Sequence, residues 1–273
     1  MATNSILTNT GAATALQNAN SIERSRDALG RQQSTGKRVN NAVDNASAFT
    51  IAQVLQGDLK SYGAVEQGID NARGVLAVTN AAATAASDQL ANLNATVISA
   101  QNPANTSQQQ AIYNADFQAQ VAQLNQTIQN ASFNGRNVLS AGSTSLNVLG
   151  NIDGTTLTVA SNSAFSVATA NLGAQTLSSP AAAAQAFSAL QQAQASIATV
   201  LGNVGQDTRT LNNQSQFLSV LADATQEGLG SIVDANLGSV AARSQAEAVR
   251  GQLSGLTLNI ANRQPQSVLG LFR

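Results

Sequence analysis

Ser34-Thr35-Gly36-Lys37 carries residue types that could cradle a phosphate, with backbone N–H groups, a lysine charge and a nearby hydroxyl for magnesium. That chemistry requires four residues between two glycines and a Ser or Thr directly after the lysine. Here five residues separate Gly30 from Gly36, and Arg38 stands where the hydroxyl belongs. The carboxylates Asp44, Asp58, Glu66, Asp70, Asp88 and Asp116 are scattered singly, which suits helix capping and solvation rather than acid–base pairs or metal ligation. The chain has no Cys and no His, which excludes disulfides, thiol nucleophiles, most structural zinc sites and Ser-His-Asp hydrolysis. Triplets such as Asn105-Thr106-Ser107 arise by chance in an Asn-rich chain. These residues assign no catalytic group, no cofactor and no metal, and the protein is expected not to be an enzyme.

The elements that would have to position a site point elsewhere. Charged residues make up 10% of the chain and the net charge is −1. That leaves no basic stripe for nucleic acid, and a weakly charged surface does little to keep copies of itself apart. Aromatic residues are only 3%, too few for stacking platforms. No run approaches the length and apolarity of a membrane span, and Met1–Thr8 lacks the basic and hydrophobic regions of a secretory signal. A protein of this kind working outside the cell would need a dedicated export route. Self-assembly, without nucleic acid or membrane, is the expectation.

From Ile51 to Ala100 apolar or small residues recur at alternating spacings of four and three: Ile51, Leu55, Tyr62, Val65, Ile69, Ala72, Leu76, Ala83, Ala86, Leu90, Leu93, Val97 and Ala100. Only Asp58 and Thr79 interrupt the stripe. Fifty helical residues at this repeat make a rod of roughly 75 Å that needs a partner helix along its course. A first helix over residues 4–36 carries a thinner stripe: Ala12, Ala15, Ala19, Ile22 and Leu29. Gly36 and Asn40-Asn41 break it, and Asp44 or Ser47 is placed to cap the rod. Asn102-Pro103 stops the rod, Thr106 or Ser107 can cap the next helix, and Phe117, Val121, Leu124, Ile128 and Ala131 are its stripe.

Between residues 136 and 179 the pattern changes. Asp153-Gly154 lies between two β-branched runs and predicts a hairpin, with Phe165 and Val167 as a third short strand. Residues 140–179 hold 14 Ser or Thr, a solvated segment that could carry O-linked sugars. Pro180 suits the first turn of a helix whose stripe includes Phe187, Leu190, Gln194, Ile197, Leu201, Val204, Leu211 and Leu218. After Ile232 the repeat shifts by three residues, predicting a joint near Gly228, Gly230 and Asp234. The stripe resumes through Ala242, Ala246, Val249, Leu253, Leu256 and Ile260. Beside it runs a second face of small residues: Ala241, Ser244, Ala248, Gly251 and Gly255, joined by Leu258. A helix with two such faces needs more than one neighbour. The terminal helices are expected to pair, to have too little apolar area to be ordered in a free monomer, and to fold on assembly.

Several motifs carry a family resemblance. Asn4-Ser5-Ile6-Leu7-Thr8-Asn9-Thr10 through Ala15-Leu16-Gln17 resembles the opening of bacterial flagellin. Ser34-Thr35-Gly36-Lys37-Arg38-Val39-Asn40-Asn41-Ala42-Val43-Asp44-Asn45-Ala46 is similar to that family's Ser-Ser-Gly…Asp-Asp-Ala run, with Val43 in place of its Lys and Asn45 in place of its second Asp. Phe133-Asn134-Gly135 matches its turn after the second core helix, and Asn259 to Arg273 resembles its ending. Leu90 to Ala95 lacks the Arg-containing signature read by the Toll-like flagellin receptor.

The resemblance implies an all-α fold of long antiparallel coiled-coil helices, with paired N- and C-terminal helices and a small central β-hairpin excursion. It implies a terminal coiled-coil domain of residues 1–38 and 236–273 in a filament's inner core, and a long-helix rod domain of 39–135 and 180–235. Residues 136–179 would be a short outward-facing hairpin segment. The function implied is a structural subunit polymerising into the flagellar filament, the helical propeller for swimming. The assembly interface would comprise Ile6, Leu16, Ile22 and Leu29 at one end, with Leu253, Leu256, Ile260, Leu269, Leu271 and Phe272 at the other. Partners would be further copies of the chain, sister flagellins, hook-associated junction and cap proteins, and a flagellar export chaperone. Its place would be extracellular, reached by the flagellar type III secretion route without a cleaved signal. A hook–filament junction protein shares the terminal motifs, and growth of long filaments from purified protein separates the two readings.

Overall fold

The computed structural model describes residues 8–269, with side chains as far as Arg263. Among them are α1 (Thr10–Thr35), α2 (Ala46–Ala100), α3 (Ser107–Asn130), β1 (Leu146–Leu149), β2 (Thr156–Val159), α4 (Ser163–Gly173), α5 (Pro180–Val233) and α6 (Leu237–Leu269). The fold is all-α with one two-stranded antiparallel excursion. Contacts divide the chain into two units. One is Asp58–Asp223, and the other combines the chain up to Gly57 with the chain from Ala224 onward.

The Asp58–Asp223 unit is held by the stripes. Every stripe position of α2 from Tyr62 to Ala100 is buried, as are Phe117, Val121, Leu124, Ile128 and Ala131, the stripe running out of α3. Thr79 tolerates burial because its hydroxyl donates to Val75 O at 2.7 Å within the helix. On α5 the seam differs from the expected one. Ala186, Ala193 and Val200 are buried, whereas Phe187, Gln194 and Leu201 are only partly covered. A helix packed into a core with several neighbours needs a wider stripe than a two-helix seam, and its alanines let backbones approach.

Asn and Gln side chains fasten the middle segment to the long helices. Gln214 Nε2 donates to Gly150 O at 2.6 Å, Gln118 Nε2 to Gln175 O at 2.8 Å and Asn203 Nδ2 to Asn162 Oδ1 at 2.9 Å. Asn114 Oδ1 accepts the Leu177 N–H at 2.7 Å, and Asp207 Oδ2 accepts that of Ala160 at 2.9 Å. Four of these bonds satisfy backbone groups that irregular chain would otherwise leave unpaired, and the Asn203–Asn162 bond joins two side chains.

The hairpin pairs Leu146 with Val159 and Leu149 with Thr156. Asp153 accepts the Thr155 hydroxyl at 2.6 Å and its N–H at 3.1 Å, and these bonds hold its carboxyl below the ordinary aspartate range. The expected third strand is instead α4. Phe165, Thr169 and Leu172, spaced by four and three, are all buried, while Val167 faces out at 54% exposure. Neither expected cap opens α2. Asn45 does so, accepting the Ala48 N–H at 3.0 Å, because Asp44 is already bound to the N–H groups of Asn40 and Asn41. At α3 Thr106 is the cap, in a reciprocal box with Gln109 at 3.2 and 2.8 Å.

Two outcomes follow for stability. Thr106→Ala lowers the unfolding free energy by about 1 kcal/mol in denaturant titration, the usual worth of a lost N-cap. Asp153 titrates by NMR below the ordinary aspartate value. Because its folded pKa is depressed, its contribution is present at neutral pH and disappears as pH falls through that folded value.

Candidate assembly surface

The unit holding both chain ends is built differently from the other. α1 packs on α6 through the side on which Ala12, Ala15, Ala19, Ile22 and Leu29 recur, yet Ala15 is the one buried residue of α1. On α6, Val240 is buried and Ala241, Ser244, Ala248, Gly251 and Leu258 are partly covered. A Cβ built on Gly251 would lie 3.7 Å from Ile22 Cγ2 and 3.8 Å from Arg26 Nη1, so the two helices meet at that glycine. Near the open end Asn9 Nδ2 donates to Ala261 O at 2.7 Å. The three ion pairs among the described residues each join positions three apart on a single helix, so the α1–α6 seam is matched by shape rather than by charge.

The seam therefore uses the small-residue face of α6 and leaves the stripe of large side chains outside. Val249 is 56% exposed, Leu253 57%, Leu256 60% and Ile260 72%. Small residues win the inner position because a two-helix seam gains most from close backbone approach when few large side chains are available on the partner. Covering what remains of those four side chains would be worth on the order of 5 kcal/mol. An uncovered apolar ridge of this kind is suited to association.

The candidate assembly residues divide accordingly. Ile22 and Leu29 are half-buried in the seam, whereas Leu16, Leu253, Leu256 and Ile260 face solvent. Leu269 ends α6 with its side chain outside the described set, and Ile6, Leu271 and Phe272 lie outside the described residues. The start of the α2 stripe also differs from its continuation, with Ile51 half-exposed and Leu55 only partly covered. Sequence reasoning passed over Val54, Phe217 and Val220, all more than half exposed. The available signal was a large apolar residue off the four-three register of its own helix. Among the described residues no three His, Cys, Asp or Glu groups gather to hold a metal, and no helix is long and apolar enough to cross a membrane.

Known proteins resemble this chain along its whole length. The bacterial flagellin N-terminal helical region matches residues 6–144. Flagellin FljO of Caulobacter vibrioides is 31% identical over 279 aligned positions, covering 100% of both chains. A flagellin of Brucella melitensis is 31% identical across 98% of this chain and 99% of its own. The crystal structure of Bacillus cereus flagellin covers 65% of this chain and 94% of that one at a TM-score of 0.42 and 16% identity.

Mutagenesis is expected to separate the inner residues from the outer ones. Leu90→Ala, in the core, costs about 2–5 kcal/mol in monomer unfolding. The exposed pair Leu253→Ser and Leu256→Ser changes monomer unfolding by less than about 0.5 kcal/mol. That pair nevertheless removes sedimentable polymer from concentrated protein.

Proposed function

The chain belongs to the bacterial flagellin family, and from that premise we propose how its terminal helices build the polymer. As a flagellin it is a structural subunit of the flagellar filament, it self-assembles, and its place is the extracellular flagellum. The finer reading concerns which surface does the joining. Residues 1–38 and 236–273 pair as the filament's inner layer, the long helices of 39–135 and 180–235 form the next layer, and 136–179 faces outward.

The observation that carries this reading is the ridge of Val249, Leu253, Leu256 and Ile260, exposed on a helix whose other face is already occupied. Among the described residues these four side chains stay more than half exposed, and sibling subunits would supply the cover. A pair with almost no buried residue has too little apolar area to offset the entropy of ordering about 60 residues. The terminal helices are therefore disordered in the free subunit and fold as subunits meet. Export follows the flagellar type III route in unfolded form without a cleaved signal, and an export chaperone holds the uncovered ridge until delivery. Junction and cap proteins meet the filament's two ends.

Purified protein, salted mildly and viewed by electron microscopy, is expected to grow long filaments by itself. Deleting residues 268–273 leaves the Asp58–Asp223 unit folded by circular dichroism and abolishes growth. Normal filaments from that truncation would refute terminal pairing, and short caps in place of filaments from the full chain would favour a junction protein.

A further inference from the structure

Three residues, Asp234 to Asn236, carry the chain from the end of α5 to the start of α6. The last carbonyls of α5 have no partner inside their own helix. The linker that follows α1 takes them up. Arg38 N–H donates to Val233 O at 2.7 Å, Val39 N–H reaches the same oxygen at 3.3 Å, and Arg38 Nη2 donates to Ile232 O at 2.8 Å. The return contact is Ala235 N–H to Gly36 O at 2.9 Å, and Lys37 and Asp234 face each other as an antiparallel bridge. Gly36 closes α1 at a φ of 70°, a left-handed turn that only a residue without a side chain adopts cheaply. Asn236 opens α6 by accepting the Ser239 N–H at 3.0 Å. Val39, Val233 and Val240 are buried, in a unit where few residues are.

We infer that Arg38 is a positioning residue for filament growth: by binding the end of α5 it fixes where α6 departs, and so the direction in which the Val249–Leu253–Leu256–Ile260 ridge faces. The guanidinium brings positive charge to the negative pole of a helix. It reaches one carbonyl while its own backbone N–H takes the next, a two-point hold that sets orientation as well as distance. The guanidinium's part is the single bond from Nη2 to Ile232 O, and lysine can bring the charge to the same pole on a more flexible stem without that planar donor. The inference rests on the terminal-pair reading of assembly, since a ridge that joins nothing needs no aim.

The test is the critical concentration for polymerisation, read by sedimentation of the full-length protein. Arg38→Ala raises it at least about tenfold, the loss of one hydrogen bond from a charged donor. Arg38→Lys falls between Arg38→Ala and the native chain. Both variants keep the native helicity and unfolding midpoint of the Asp58–Asp223 unit. Lys37→Cys with Asp234→Cys then staples the bridge in a chain that has no other thiol. In the Arg38→Ala background the oxidised staple restores the native critical concentration and the reduced form does not. On the otherwise native chain the oxidised staple polymerises as the native protein does. Native polymerisation of Arg38→Ala, no rescue by the oxidised staple, or a staple that blocks the native chain would each overturn the inference. Failure of the terminal-pair reading is distinguishable, because it shows as normal growth of the chain lacking residues 268–273 whatever residue stands at 38.

Discussion

Dry contact between helices is the constraint on which this molecule depends, and it is met in full in only one of its two units. Between Asp58 and Asp223 the long helices cover one another's stripes, and Ile69, Leu90, Leu93, Phe117, Leu190 and Leu211 are sealed. In the unit with the chain ends, α1 offers three large apolar side chains among its described residues, and α6 meets it with Ala, Ser and Gly. Val249, Leu253, Leu256 and Ile260 of α6 then stay more than half exposed among the described residues. That ridge is the surface proposed to meet neighbouring subunits.

Charge takes little part in this. With 10% charged residues and, among the described residues, ion pairs confined to single helices, discrimination falls to shape and to amide side chains. Asn114, Gln118, Asn203 and Gln214 each reach from a long helix to the middle segment. An Asn- and Gln-rich composition that reads as merely polar turns out to supply specific fasteners. Arg38 is the charged counterpart at the elbow, binding main-chain oxygen rather than a carboxylate. Because these bonds are neutral or directed at backbone, salt screens them less than it would a network of surface ion pairs.

Much of the architecture was legible along the chain. The stripes of α2 and α3, the stop at Asn102-Pro103, the hairpin at Asp153-Gly154 and the joint after Ile232 all follow from side-chain period and turn chemistry. Errors came where two periods compete over a short span. Phe165 and Val167 fit a strand by alternation, yet Phe165, Thr169 and Leu172 fit a helix, and burial of the latter set decided the outcome. The cap of α2 was displaced by one residue because Asp44, a good cap by type, is used by Asn40 and Asn41. The α5 seam shifted because sequence spacing describes a stripe but not the number of neighbours that it must serve.

Residue order by itself determined that this chain makes long helices and that α6 carries a stripe of large residues beside a stripe of small ones. The two faces of α6 share the same repeat, so no pattern in the sequence ranks them. Only the tertiary structure decided that Gly251 meets Ile22 while Leu253, Leu256 and Ile260 turn away. The reason is steric: how closely two backbones approach depends on what both helices present at once, and that pairing joins residues more than two hundred positions apart.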